Sequence, residues 1–309
     1  MNQLPSVQGH EDQRAPSFTR REFSQLAFAA AAGLPLYAAP AHKSWKILIV
    51  VAHPDDEYYF AGTVYRLAQE LSATVDQVVI TNGEGGFRYS TLAEKYYGVV
   101  LTDENTGRTR LPEIRKKETL AAGKILGIRE HYFLDQRDLR FTLDSKEAEC
   151  WNHDQIRKTL VNLLDQNEYD FVFTILPRSS THGHHQAATL LAIEASKQLS
   201  ESRRPVILAA EPGRSREAVP YNGLPGFPES KAADSEPALV FDRTRSFGFE
   251  HALRYDIVVD WVISEHKSQG MFQNDVGKHD VERFWILASN APPDAAQRTA
   301  RLASEVSSK

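Results

Sequence analysis

The stretch Trp45-Lys46-Ile47-Leu48-Ile49-Val50-Val51, running directly into Ala52-His53-Pro54-Asp55-Asp56-Glu57, decides the fold of this chain. A near-continuous apolar run of this kind suits a strand buried on both faces of a parallel sheet. Pro54 then fixes its own φ and restricts His53, so the chain turns stiffly where the strand ends. Residues 57–71 read as a helix, with Phe60, Val64, Leu67, Ala68 and Leu71 on one stripe. An imidazole and three carboxylates therefore stand at the carboxyl end of a buried strand, where open α/β sheets place their chemistry.

The same rhythm continues outward. Strands are expected at 77–81, 131–134, 170–176 and 206–210, and helices at 113–126, 155–167 and 184–199, with Gly127 as a helix stop. Strands alternating with helices predict an α/β fold, a Rossmann-like three-layer αβα sandwich with a mostly parallel sheet. Two stretches interrupt the alternation, 82–112 and 211–249. Long loops inside a compact domain tend to serve as walls or lids, which is the expectation for both.

Composition narrows the function. The 309 residues are 41% hydrophobic, 25% charged and 10% aromatic, an ordinary globular balance. Lysine and arginine number 36 against 41 acidic residues, a formal charge of −5, which disfavours a nucleic-acid partner. One cysteine, Cys150, excludes an intramolecular disulfide and a cysteine-only metal cluster. No apolar run in the body of the chain is long enough to span a membrane, and a homo-oligomer is left open.

Residues 1–41 read as an address. Arg20-Arg21 before Phe23, an uncharged run over 26–39 and the small residues of Ala39-Pro40-Ala41 resemble a twin-arginine export signal with its cleavage site. The expected product is a single domain over 42–309, periplasmic or extracellular.

A second histidine-rich turn, Thr181-His182-Gly183-His184-His185, follows the strand expected at 170–176 and opens a helix. Two such turns at one sheet edge can meet in space. Together they offer the two-nitrogen, one-oxygen donor set with an open position that a catalytic zinc uses; ferrous iron accepts the same set.

Ala52-His53-Pro54-Asp55-Asp56-Glu57 with His182-x-x-His185 resembles the PIG-L or LmbE-like family of zinc-dependent de-N-acetylases. Asn82-Gly83-Glu84-Gly85-Gly86, Arg115-x-x-Glu118, Asp138 and the Ser264–Gln269 segment (SEHKSQ) resemble further family features. The resemblance implies His53, Asp56 and His185 as metal ligands and Asp55 as general base. It makes His182 the group that stabilises the oxyanion or protonates the leaving amine. Arg115 resembles a residue facing the sugar or its anionic substituent, or else pairs with Glu118 on the helix surface. Asp138 is a candidate acceptor for sugar hydroxyls, and Tyr89 or Tyr221 a candidate aromatic face for the ring. His184 stands where the family commonly has aspartate, so it is either a polar substrate contact or a competing ligand.

The implied substrate is an N-acetylglucosaminyl-type small molecule or glycoconjugate. Two alternatives remain: a zinc amidase acting on a non-sugar or thiol-conjugate amide, and a carbohydrate-binding protein without turnover. No Gly-x-Gly-x-x-Gly follows the first strand, which removes a dinucleotide-binding reading.

Overall fold

In the computed structural model of this protein, β1 (Lys46–Val51) is buried at every position except Lys46. It lies between two parallel partners, β2 (Thr74–Thr81) and β4 (Phe171–Ile175), with Ile49 opposite Gln77 on one side and Phe173 on the other. The remaining strands are β3 (Glu130–Gln136), β5 (Val206–Gly213), β6 (Leu239–Asp242), the small ribbon β7 (Ser246–Phe247) and β8 (Leu253–Arg254), and β9 (Val281–Ile286). The main sheet has the order β3-β2-β1-β4-β5-β9-β6. Neighbours among β1 to β5 pair in parallel, whereas β9 runs antiparallel to both β5 and β6. The structure describes residues 44–214 and 218–308, so the export signal expected over 1–41 lies outside the described residues.

The helices are α1 (Ala61–Tyr65), α2 (Glu94–Tyr97), α3 (Glu104–Leu126), α4 (His153–Asn167), α5 (Gly183–Lys197), α6 (Tyr255–Glu265) and α7 (Ala295–Ser307). Side chains alternate across the sheet, as the pleat demands. Ile47, Ile49 and Val51 pack with Val64 of α1, Leu126 of α3, Val262 of α6 and Leu302 of α7. Leu48 and Val50 face the other way, onto Leu160 of α4 and Leu191 of α5. The layers are helix, sheet, helix, and the expected α/β sandwich is what the chain forms.

Two expected helices have different limits. The helix read from Glu113 starts at Glu104, because the Asp103 carboxylate accepts from the Thr106 N–H at 2.9 Å and caps it. Pro112 lies inside it, so Pro112 marks no boundary. The helix expected at 57–71 is instead three pieces: a 3-10 turn at Asp56–Phe60, ending at φ −133° and ψ 22° on Phe60, then α1, then a π turn at Arg66–Glu70. The elements after β5, namely β6, the β7–β8 ribbon, α6, β9 and α7, have no counterpart among the strands and helices expected from the sequence.

A buried ion pair joins this C-terminal part to the first helix. Glu282 of β9 accepts from the Gly62 and Thr63 N–H groups of α1 at 2.7 and 2.9 Å, and from Arg243 Nε at 2.8 Å. Both side chains are almost fully enclosed. Arg243→Met leaves the carboxylate without its cation and should cost about 3–5 kcal/mol in denaturant unfolding; a loss below 1 kcal/mol would show the pair to be dispensable.

His131 of β3 stacks on Phe133 and covers Gly123 of α3. Burial lowers its pKa from 6.5. A histidine kept neutral in the fold and charged when unfolded contributes stability above its unfolded pKa that is lost as pH falls below it. Between about pH 7 and pH 5 the Tm of the wild type should therefore fall more steeply than that of His131→Gln. Parallel curves would remove His131 from the acid response.

Candidate active site

The turn after β1 holds its two aspartates in opposite senses. Asp56 points back into the turn, where one oxygen accepts from the Ala52 and His53 N–H groups at 3.0 and 2.8 Å. Asp55 has φ 122°, a conformation rarely adopted by residues with a Cβ. Arg115 of α3 holds it there: Nη2 donates to Asp55 Oδ2 at 2.8 Å and to the Pro54 carbonyl, and Nη1 donates to the Gly83 carbonyl at 2.9 Å. Arg115 lines the site but is itself 3% exposed. It does not pair with Glu118, which instead accepts from the Ser268 N–H and hydroxyl at 2.7 and 2.6 Å.

The second histidine turn opens α5 beside β4, the neighbour of β1, so both turns meet where the strand order reverses direction. His185 Nε2 lies 3.0 Å from Asp56 Oδ1 and 3.1 Å from His53 Nδ1. Two imidazole nitrogens and a carboxylate oxygen thus converge within 4.8 Å of one another. With both rings neutral, three lone pairs face a common point. That donor set fits a divalent cation. Histidines 53, 182 and 184 form a second convergent set.

The other side of His53 is enclosed. Its Nε2 meets His184 Nδ1 at 3.1 Å, and the Asp138 carboxylate lies 3.6 Å from that His184 nitrogen. His184 is fully buried against Trp151 and lines no part of the cavity. The sequence left it as a polar substrate contact or a competing ligand; here it backs His53, because the helix start turns its ring inward. His182 caps α5 by accepting the His184 N–H at Nδ1 (3.0 Å), so its proton sits on Nε2.

Charge is distributed accordingly. Burial pushes the Asp55 carboxyl up to about 6, with Arg115 opposing that rise. Burial acts the same way on Asp56, but His185 and His53 outweigh it and hold the group well below the usual range. Burial and the neighbouring imidazoles lower His184 to about 3 and depress His182 as well.

His53, Asp55, Asp56, His182 and His185 form the floor of a cavity of about 480 Å³. Asp138 and Tyr89 line it, as do Gly85 and Gly86. The glycines are required: a Cβ at Gly85 would lie 2.7 Å from Asp138 Oδ1, and one at Gly86 2.5 Å from Gln269 Oε1. The 82–112 stretch is thus a wall. The described part of 211–249 contributes no lining residue, and Tyr221 packs elsewhere. Its place is taken by Gln269, the last residue of the Ser264–Gln269 segment singled out in the sequence, and by Met271 and Phe272, which sequence reading did not assign. The Ser264–Gln269 segment is fastened by His266 Nε2, 2.6 Å from Glu57 Oε1, both fully buried.

Residues 48–196 match the family model described as PIG-L, GlcNAc-PI de-N-acetylase. That match spans just under half of the chain, which is similar to the PIG-L family over those residues. It is 27% identical over 173 residues to a probable N-acetyl-α-D-glucosaminyl L-malate deacetylase 2 of Bacillus cereus, covering 56% of this chain and 70% of that protein. The same-named Bacillus subtilis protein is 24% identical over 173 residues, with 56% and 70% covered. Among solved structures, the 4-carboxy-2-hydroxymuconate hydratase GalB of Pseudomonas putida superimposes with a TM-score of 0.51 at 15% identity, covering 79% of this chain and 96% of that one. That likeness shows the fold. The N,N'-diacetylchitobiose deacetylase of Pyrococcus horikoshii gives 0.48 at 18% identity, covering 89% and 95%.

Replacing Arg115 by methionine removes the donor to two carbonyls and one carboxylate at once. The expected cost is about 3–5 kcal/mol, with amide exchange accelerated across residues 53–56. Unchanged exchange in that turn would show that Arg115 does not restrain it.

Proposed function

We propose that this protein is a PIG-L-type enzyme, a metal-dependent hydrolase that removes the acetyl group from an N-acetylglucosaminyl-type substrate. The observation that carries this reading is the convergence of His53 Nδ1, Asp56 Oδ1 and His185 Nε2 beside an Asp55 turned into the cavity. The family match and the named activity of the Bacillus relatives support the amide of an amino sugar as the target. Fold alone does not, since the hydratase shares it.

His53, Asp56 and His185 are the proposed ligands. A divalent ion there, zinc or ferrous iron, supplies Lewis acidity for the amide carbonyl and the attacking water. Asp55 takes the proton from that water as its oxygen bonds to the carbonyl carbon. Arg115 engages Asp55 Oδ2, so Oδ1 is the oxygen that receives the proton. As the C–N bond breaks, Asp55 returns the proton to the amine nitrogen, and acetate and the free amine result. His182, protonated on Nε2, donates to the oxygen that gains charge. Asp138 and Tyr89 are proposed to hold sugar hydroxyls and the sugar face. Arg20-Arg21 and the apolar run after them support a further proposal, that the chain is exported; an Arg20→Lys, Arg21→Lys precursor should then stay in the cell.

The test is metal content of the purified protein together with acetate release from N-acetylglucosaminides. One metal per chain with acetate released supports the reading. Metal with no turnover on any N-acetyl sugar moves it to another amide or to a binding protein, and absence of metal binding overturns it. Asp55→Asn should keep the metal and lose roughly 10²–10⁴-fold in kcat. Alanine at His53, Asp56 or His185 should lose both metal and turnover, and chelation should abolish activity until metal is restored.

A further inference from the structure

The cavity has two kinds of lining. Its floor is histidine and carboxylate, and Tyr58, Tyr59, Tyr89, Phe141, Met271 and Phe272 line it beside them, with Phe141 and Tyr59 in ring contact with His182 and His185. Phe141 and Met271 belong to separate segments, yet both line the cavity while staying 61% and 63% exposed. Leu92, 72% exposed, packs over Gly270 next to Met271 and extends the same surface. Single exposed apolar residues are ordinary, but a set of them at the mouth of a polar cavity marks an apolar binding surface.

The charge of the cavity agrees. Among the described lining residues, Asp55, Asp56 and Asp138 face one guanidinium, Arg115. That guanidinium is buried and already donates to the Pro54 and Gly83 carbonyls and to Asp55. The divalent ion proposed at His53, Asp56 and His185 serves the amide, so a malate group, with two carboxylates, would find no lysine and no unengaged arginine among the described lining residues, and would meet Asp138. A neutral apolar group would instead cover Phe141, Met271 and Leu92 and remove their surface from water.

We propose that the group attached to the amino sugar is neutral and apolar, an alkyl or aryl aglycone seated against Phe141, Met271 and Leu92. This separates the chain from relatives named for a malate substrate. The proposal rests on the deacetylase reading of the floor.

The test compares hexyl and phenyl N-acetyl-α-D-glucosaminides with N-acetyl-α-D-glucosaminyl malate. The expected kcat/KM for the apolar pair is at least roughly tenfold higher. Phe141→Ser and Met271→Ser should each bring that ratio down severalfold; a folding defect would lower both rates and leave the ratio alone. Binding of the amine products, hexyl glucosaminide and glucosaminyl malate, is measured in parallel by calorimetry. Tighter hexyl binding without turnover of any substrate would sink the deacetylase reading and sustain this one. Turnover with malate equal or preferred, or a ratio unmoved by both variants, would overturn the proposal and leave the deacetylase standing.

Discussion

The site depends on one guanidinium. Arg115 reaches from α3 into the crease after β1 and bonds the Pro54 carbonyl, the Asp55 carboxylate and the Gly83 carbonyl of the next turn. Those bonds stabilise a positive φ at Asp55 that the residue would not adopt alone. The strained turn lets neighbouring aspartates face opposite ways, one inward to His185 and one into the cavity. A regular helix start would have splayed them by only about 100°.

Buried carboxylates repeat this device on a larger scale. Glu57 meets His266, Glu118 meets Ser268, and Glu282 meets Arg243 and the start of α1. Each ties a segment from the last third of the chain to the motif-bearing half. A buried charge left alone is costly, so each partner must be in place for the other to be tolerated. The outer wall around Gln269 and Met271 is held over the cavity by these ties.

The first half of the fold was legible because its signals are local. The run over 47–51 and the stripe from Phe60 to Leu71 each report burial within a few residues, and the His-Pro-Asp-Asp turn marks the strand end. The convergence of His53, Asp56 and His185 follows from β1 and β4 being neighbours, a strand order that the alternating pattern leaves open. The rest is non-local. Arg115 and Glu118 stand three apart on a helix, a spacing that reads as a surface pair, but α3 is buried there and sends them to different partners. His184 gave no sign that it backs His53, since a ring at a helix start looks equally able to face outward. Phe141 and Met271 lie in turns with no period, so only the folded shape brings them to one mouth.

The tie between Glu57 and His266 spans 209 residues. The turn after β1 is made early in synthesis, but Glu57 must wait for nearly the whole chain before its partner exists. Closing contacts across such a separation is slow compared with forming the strand and turn themselves. Until His266 arrives, burying Glu57 would strand its charge, so the C-terminal segment sets the moment at which the turn can be enclosed and the cavity acquires its wall.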